Sequence, residues 1–192
     1  CGLEINFRRI KDNPRIKVLT LAHVEKVDGT PGNYDVTIKL APRYVNENCT
    51  CCGDCAEASQ TEIDSEFDFG MKKVKGAYLP FEMAFPARFV ISPEIIGSDD
   101  AQRCKDACKY DAVDFEMEAK TLNFNVGSIV WATGWEPYDA TKIDNLGFGQ
   151  YPNIITNMMM ERLASPNGPT KGKIVRPSDD KAPESIAFVQ CA

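Results

Sequence analysis

The stretch "CTCCGDCAEASQ", Cys49 to Gln60, places four cysteines within seven residues and constrains the chain more than any other feature. Of the eight cysteines, Cys104 and Cys108 stand one helical turn apart, while Cys1 and Cys191 lie singly near the ends. A disulfide scaffold spreads its cysteines along the chain so that each bridge closes a loop, whereas clustering of this kind gathers thiolates around metal. The distribution points to a metal-binding module in a reducing compartment.

The spacing says more. In the run C-x-x-C-x-x-C-x-x-x-C-P the first three cysteines bind one iron–sulfur cluster and the fourth reaches across to another. Cys49, Cys52 and Cys55 fill the first three places, Ser59 holds the fourth and Gln60 the proline's. Counting back from Cys104 and Cys108 puts Ser98 and Ala101 in the first two places of a second run, with Lys109 in place of its proline. The crossover then divides the positions into a complete set, Cys49, Cys52, Cys55 and Cys108, and a depleted one, Ser98, Ala101, Cys104 and Ser59. One four-iron four-sulfur cluster on the complete set is the leading expectation. Soft thiolates suit iron in both oxidation states, and the backbone of Gly53 can approach the inorganic sulfides. Cys51 and Cys104 are then unpaired thiols nearby. Three plainer readings stand beside this one: a tetrahedral zinc on the same thiolates, disulfides within the i, i+4 pairs Cys51/Cys55 and Cys104/Cys108, and a vestigial module without metal. Cys1 and Cys191 read as small buried residues, and His23, the single histidine, as an ordinary strand residue.

With 192 residues the chain can bury a full core in one or two domains. Its apolar runs, such as "GSIVWATGW", are far shorter than a membrane span. A net charge of −6 without a dense Lys/Arg block excludes the electrostatic footprint of a nucleic-acid binder. Before the cysteines, "LEINFRRIKDNP" predicts a helix ended by Asn13-Pro14, and "IKVLT", "AHVEKV" and "NYDVTIKLA" predict a small β-meander turning at "DGTPGN". Residues 46–115 read as an inserted module. After it, "TLNFNV" and "SIVWATG" predict strands, followed by a helix at about Ile154 to Leu163 and a closing strand at Ser185 to Gln190. Residues 1–45 and 116–192 thus form one discontinuous domain around the insert. Both ends read as boundaries inside a longer protein. A lipidated Cys1 is the minor alternative, because a helix follows it with no polar tether.

"SIVWATG" also carries a second signal. An apolar strand ending in Ala132-Thr133-Gly134 allows close backbone approach, which suits a dinucleotide at the carboxyl end of a sheet. No G-x-G-x-x-G occurs, so the phosphate-binding unit of such a fold is not in this sequence.

Taken together, "PGNYDVTIKLAPRYVNENCTCCGDC", "GAYLPFEMAFPARFVISPE", "VGSIVWATGWEPYD" and "YPNIITNMMMERLASPNGPTKGKIVRPSD…IAFVQC" resemble the A-subunit of heterodisulfide reductase over nearly the whole chain. The departures at Ser59, Ser98 and Ala101 are closer to the related A-subunit of the quinone-interacting membrane-bound oxidoreductase complex. The resemblance implies an α+β fold: part of a FAD-binding flavoprotein of the two-dinucleotide-domain type, with a ferredoxin-like module inserted into the flavin domain. It places Ala132, Thr133 and Gly134 beside the flavin of the full-length protein and gives the backbone of Val24 to the adenine. The fragment alone is expected to bind FAD poorly, and oxidation can strip its cluster.

The implied function is electron transfer between FAD and partner redox subunits, with the cofactors carrying the chemistry. The implied partners are sister subunits, one of them quinone-reactive and embedded in the membrane, and an adenylylsulfate reductase downstream. The implied location is cytoplasmic, at the membrane only through those partners. The rival is a docking module whose Glu62, Asp64, Glu66 and Asp68 face a basic partner.

Overall fold

The computed structural model describes residues 2–190, with side chains from residue 5 onward. In chain order the elements are helix α1 (Gly2–Lys11), strands β1 (Ala22–Thr30) and β2 (Asn33–Leu40), helix α2 (Asp54–Ala58), short strands β3 (Glu62–Asp64), β4 (Lys73–Lys75), β5 (Ala77–Tyr78) and β6 (Val90–Ile91), helix α3 (Asp99–Asp106), strand β7 (Lys120–Val126) and helix α4 (Asn157–Ala164). The class is α+β, with small antiparallel sheets only.

By contacts the chain forms two compact units, residues 1–44 with 116–132, and residues 45–115 with 133–192. The first is built on an antiparallel sheet of order β1-β2-β7. The expected turn joins β1 to β2 at Pro31-Gly32, where Pro sets its own φ and Gly32 takes φ +92°, open to glycine without strain. Glu25 is an extra residue on β1, bulged between Val24 and Lys26. Leu40 lies opposite Lys120 across the β2–β7 ladder. The chain therefore leaves and re-enters the sheet at neighbouring points.

The second unit holds the six described cysteines. Val45 and Val113 form an antiparallel bridge, Asn46 N–H donates to the Ala112 carbonyl at 2.8 Å, and Val45, Ala112 and Val113 are buried. The module is thereby closed at its base. Above this, α2 packs on α3, and the hairpins β3–β4 and β5–β6 carry the buried Ala77, Val90 and Ile91. Residues 133–192, which the sequence grouped with the sheet, gather with 45–115. Thr156 caps α4, accepting from Met159 N–H at 3.3 Å. From that helix Arg162 donates through Nε and Nη2 to the buried Asp68 at 2.9 and 2.8 Å and lies over the Phe67 ring. A guanidinium held in this way is not a side chain the sequence pattern distinguishes from a solvated arginine.

Three expected strands are not formed. Residues 16–20, 128–134 and 185–190 are irregular. A strand exists only through a hydrogen-bonded neighbour, and none of the three has one among the described residues. Val130 and Trp131 are accordingly 87% and 63% exposed.

Candidate metal centre

The loop before α2 and the turn after α3 supply the thiols. Asn46 Oδ1 accepts from Asn48 N–H at 2.9 Å, which curls the chain before Cys49. Cys51 then takes φ +60°, and Gly53 takes φ +93° as the residue that starts α2. A side chain on Gly53 would meet nothing within 4 Å, so its backbone conformation rather than space calls for glycine. Cys55 lies in α2 and is buried; Cys108 follows α3 in a turn where its N–H donates to the Lys105 carbonyl at 3.0 Å.

Cys49, Cys52, Cys55 and Cys108 all line one small, partly open cavity. Val45, Phe89, Ala112 and Val113 make its apolar walls; Thr50, Gly53 and Tyr110 complete it. Cys52 is exposed and marks the mouth. Lys109 bridges the two halves of this rim, pairing with Asp54 at 3.0 Å. Neither Cys51 nor Cys104 lines the cavity. Two backbone donors reach the sulfurs: Cys51 N–H donates to Cys49 Sγ at 3.4 Å and Ala112 N–H to Cys108 Sγ at 3.3 Å. Such bonds tune a bound iron–sulfur centre.

The electrostatics of the free thiols follow from this crowding. Burial, and then the neighbouring Cys104, Cys49 and Cys108, push the Cys55 thiol up to about 12. Burial followed by Cys49 and Cys52 raises Cys51 as well. Several thiolates cannot share this space without a cation among them. All six cysteines among the described residues are free thiols, so the i, i+4 bridges considered from the sequence are not formed. Cys1 and Cys191 lie outside the described residues.

Among the described residues no three His, Cys, Asp or Glu side chains close on a single ion. Tetrahedral zinc at about 2.3 Å from each sulfur needs its thiolates roughly 3.8 Å apart. A cube instead puts each thiolate on its own iron, and so asks for thiols set around a cavity rather than around a point. The donor set and its walls fit that group.

The depleted set is closed. Ser59, Ala101 and Cys104 are buried at 3, 1 and 0% exposure, and Ser98 caps α3, accepting from Ala101 N–H at 3.3 Å. In their midst lies Asp100, 4% exposed, which the sequence reading did not single out. Its one signal was the helix-start pattern "SDDA", which speaks of a first-turn carboxylate but not of one turned inward.

The remaining expected residues lie elsewhere. Val24 sits on β1 beside the bulge, and Ala132, Thr133 and Gly134 are exposed in irregular backbone, with Gly134 at φ +72°. His23 is a strand residue on β1. Of the acidic residues of the docking alternative, Glu62 pairs with Lys75 at 3.0 Å and Asp64 with Lys73 at 2.6 Å at the surface, Glu66 is exposed, and Asp68 is buried against Arg162. Among the described residues no helix is long and apolar enough to cross a membrane.

No family model matches the chain. Individual relatives do. It is 42% identical over 184 residues to the first of two CoB–CoM heterodisulfide reductase iron-sulfur A-subunits of Methanopyrus kandleri, covering 95% of this chain and 28% of that protein. It is 43% identical over 192 residues to the second A-subunit of the same organism, covering all of this chain and 29% of the relative. The A-subunit of the ferredoxin:CoB-CoM heterodisulfide reductase of Methanosarcina acetivorans is 34% identical over 182 residues, 93% of this chain and 23% of its own length. By name these relatives are subunits of oxidoreductases, and the chain spans less than a third of their length. Across the segment it shares with them, the chain belongs to the heterodisulfide reductase A-subunit family.

Proposed function

We propose that this chain holds one four-iron four-sulfur cluster on Cys49, Cys52, Cys55 and Cys108, and that in the full-length protein it relays electrons between FAD and partner redox subunits. The observation that carries the reading is that these four thiols, one of them far from the others in sequence, line a single apolar-walled cavity from which Cys51 and Cys104 are excluded. When bound, such a cluster supplies one-electron transfer. The residues of the chain do the rest: the thiolates hold, Val45, Phe89 and Val113 exclude water, the Cys51 and Ala112 N–H groups donate to sulfur, and Cys52 lies at the exposed edge where a partner can approach.

The flavin lies in the longer protein, with Ala132, Thr133 and Gly134 offering bare backbone beside it and Val24 offering its own to the adenine. The partners are sister redox subunits, as the relatives' names suggest in tying the A-subunit to heterodisulfide and ferredoxin. The depleted second set favours the quinone-interacting relative, whose partners are a quinone-reactive membrane protein and an adenylylsulfate reductase. The protein is then cytoplasmic and reaches the membrane only through the quinone-reactive partner.

Anaerobic reconstitution with iron and sulfide tests the reading. About four irons and four sulfides per chain, with a paramagnetic signal on reduction, are expected. Zinc in their place, or no metal at all, would overturn it.

A further inference from the structure

The depleted set is not vacant space, and what fills it is arranged around one carboxylate. Asp100 Oδ2 accepts from Ser59 Oγ at 2.7 Å and from Thr61 N–H at 3.0 Å, while Oδ1 accepts from Gln60 N–H at 2.8 Å and from Arg103 Nη2 at 2.7 Å. Ser59 Oγ in turn accepts from Gly76 N–H at 3.1 Å. Ser59 terminates α2, its N–H donating to the Cys55 carbonyl at 3.1 Å, and Asp100 lies in the first turn of α3. The carboxylate therefore joins the end of one helix to the start of the other.

The positions of the thiols relative to this joint are what give it a function. Cys55 stands four residues before Ser59 on α2, and Cys108 stands eight residues after Asp100, in the turn that follows α3. Helix α2 has five residues and cannot hold itself in place by its own hydrogen bonds. Its orientation must come from what clamps its ends.

We infer that Asp100 is a positioning residue for the metal centre: the residues left by the depleted set form a polar latch that holds α2 and α3 in the register bringing Cys55 and Cys108 to one cavity. This rests on the cluster reading above. Residues around a metal site that orient its ligands typically change affinity by roughly ten- to hundred-fold when altered, and the latch acts in that way from four residues behind one ligand and eight ahead of the other.

Asp100→Asn tests it most directly. An amide keeps the volume but offers one acceptor oxygen in place of two and turns two N–H donors toward groups that are themselves donors. Ser59→Ala is the milder variant, removing only the hydroxyl. The control is Arg162→Gln, which breaks the buried pair with Asp68 in the same unit and shares no hydrogen bond with the latch. Each chain is reconstituted anaerobically, its melting temperature is recorded, and the rate of iron release to a chelator and the shape of the reduced paramagnetic signal are compared. Release roughly ten-fold faster than wild type in Asp100→Asn, a smaller acceleration in Ser59→Ala, and a wild-type rate in Arg162→Gln despite its lower melting temperature are expected. Equal release from Asp100→Asn and Arg162→Gln would overturn the inference and leave the cluster reading intact. If Asp100→Asn does not fold, Ser59→Ala decides on the same comparison. A wild-type chain that takes up no iron would sink the cluster reading first, and the inference with it.

Discussion

The two sets of positions that a double iron–sulfur motif would fill have met opposite fates in this molecule. On one side Cys49, Cys52, Cys55 and Cys108 surround a cavity with apolar walls, and the Cys55 thiol is raised by burial and by its neighbours. On the other, Ser59, Ala101 and Cys104 are packed solid around a carboxylate with four donors. Replacing cysteine by serine and alanine removes volume as well as ligands, and a void there would forfeit packing on every side. Asp100 turned inward avoids that. The space is tight enough that a Cβ on Gly76 would stand 2.7 Å from Ile95 Cδ1 and 3.0 Å from Ser59 Oγ. Where the motif's cysteines are missing the positions are packed and hydrogen-bonded, and where they are present the thiols line a cavity.

The largest effect that could break this comparison is an exchange of its two late cysteines. Cys108→Ser should lose most of its iron, because a thiolate on the cavity is gone. Cys104→Ser should keep the wild-type complement, since that sulfur does not line the cavity. Iron per chain and the reduced paramagnetic spectrum decide it, and the reverse pattern would mean that the two sets had been assigned the wrong way round.

Alkylation of the metal-free chain gives the next largest contrast, in rates. Cys52 is exposed at the mouth, whereas Cys104 is fully buried and Cys55 is buried with its thiol pushed up to about 12. Because the thiolate is the reactive form, a thiol raised that far is ionised in roughly one molecule in ten thousand at pH 8. Peptide mapping after brief iodoacetamide treatment should find Cys52 modified at least about a hundred times faster than Cys55 or Cys104. Comparable labelling of all three would show that neither side is closed.

The latch should also appear in stability against pH. Burial alone would raise the Asp100 carboxyl, but the hydrogen bonds from Gln60, Ser59 and Thr61 outweigh it and hold the group well below the usual carboxylate range. A folded-state value below the unfolded one means the contribution is fully present above about pH 4 and is lost as the pH falls toward the folded value. Urea midpoints of the metal-free chain should thus change little on this account between pH 5 and 8 and fall at pH 3. Asp100→Asn should cost about 3 kcal/mol at pH 6, since buried donors lose their acceptor, and should flatten the acid limb. An unchanged acid limb would show that Asp100 is not the group responsible.

How much of this could be read from the sequence depends on whether the information was local. That Cys49, Cys52, Cys55 and Cys108 come together on one cavity was legible because motif spacing is a one-dimensional property, and the hairpin was legible because Pro31-Gly32 states its own turn. Helix α4 was found, with its start displaced, because periodicity is visible while the cap at Thr156 decides the boundary. The strands expected at 128–134 and 185–190 failed for the complementary reason: β-branched and aromatic residues report what a segment can pair with, not whether a partner lies beside it. Phe89 and Tyr110, which line the cavity, carry no mark in the sequence. Nor does the inward turn of Asp100, which depends on Ser59, Gln60 and Thr61 arriving from some forty residues away.

The smallest effect concerns the hairpin β3–β4, which hangs from the latch: Gly76 N–H donates to the Thr61 carbonyl at 2.9 Å as well as to Ser59 Oγ. Its two ion pairs, Glu62 with Lys75 and Asp64 with Lys73, are about half exposed, and the gain from holding such long side chains together in water is largely offset by their lost freedom and by salt. The double change Glu62→Gln and Asp64→Asn should therefore shift stability by less than about 1 kcal/mol and leave iron content and its release rate unchanged. The same change removes two of the four carboxylates on which a docking face was expected. A loss of iron retention comparable to that of Ser59→Ala would mean that the hairpin, and not the carboxylate at its root, holds α2 in place. No such loss is expected, because Asp100 draws its donors from Ser59, Gln60 and Thr61 before the hairpin begins and from Arg103 on its own helix, leaving nothing for the exposed charges to transmit.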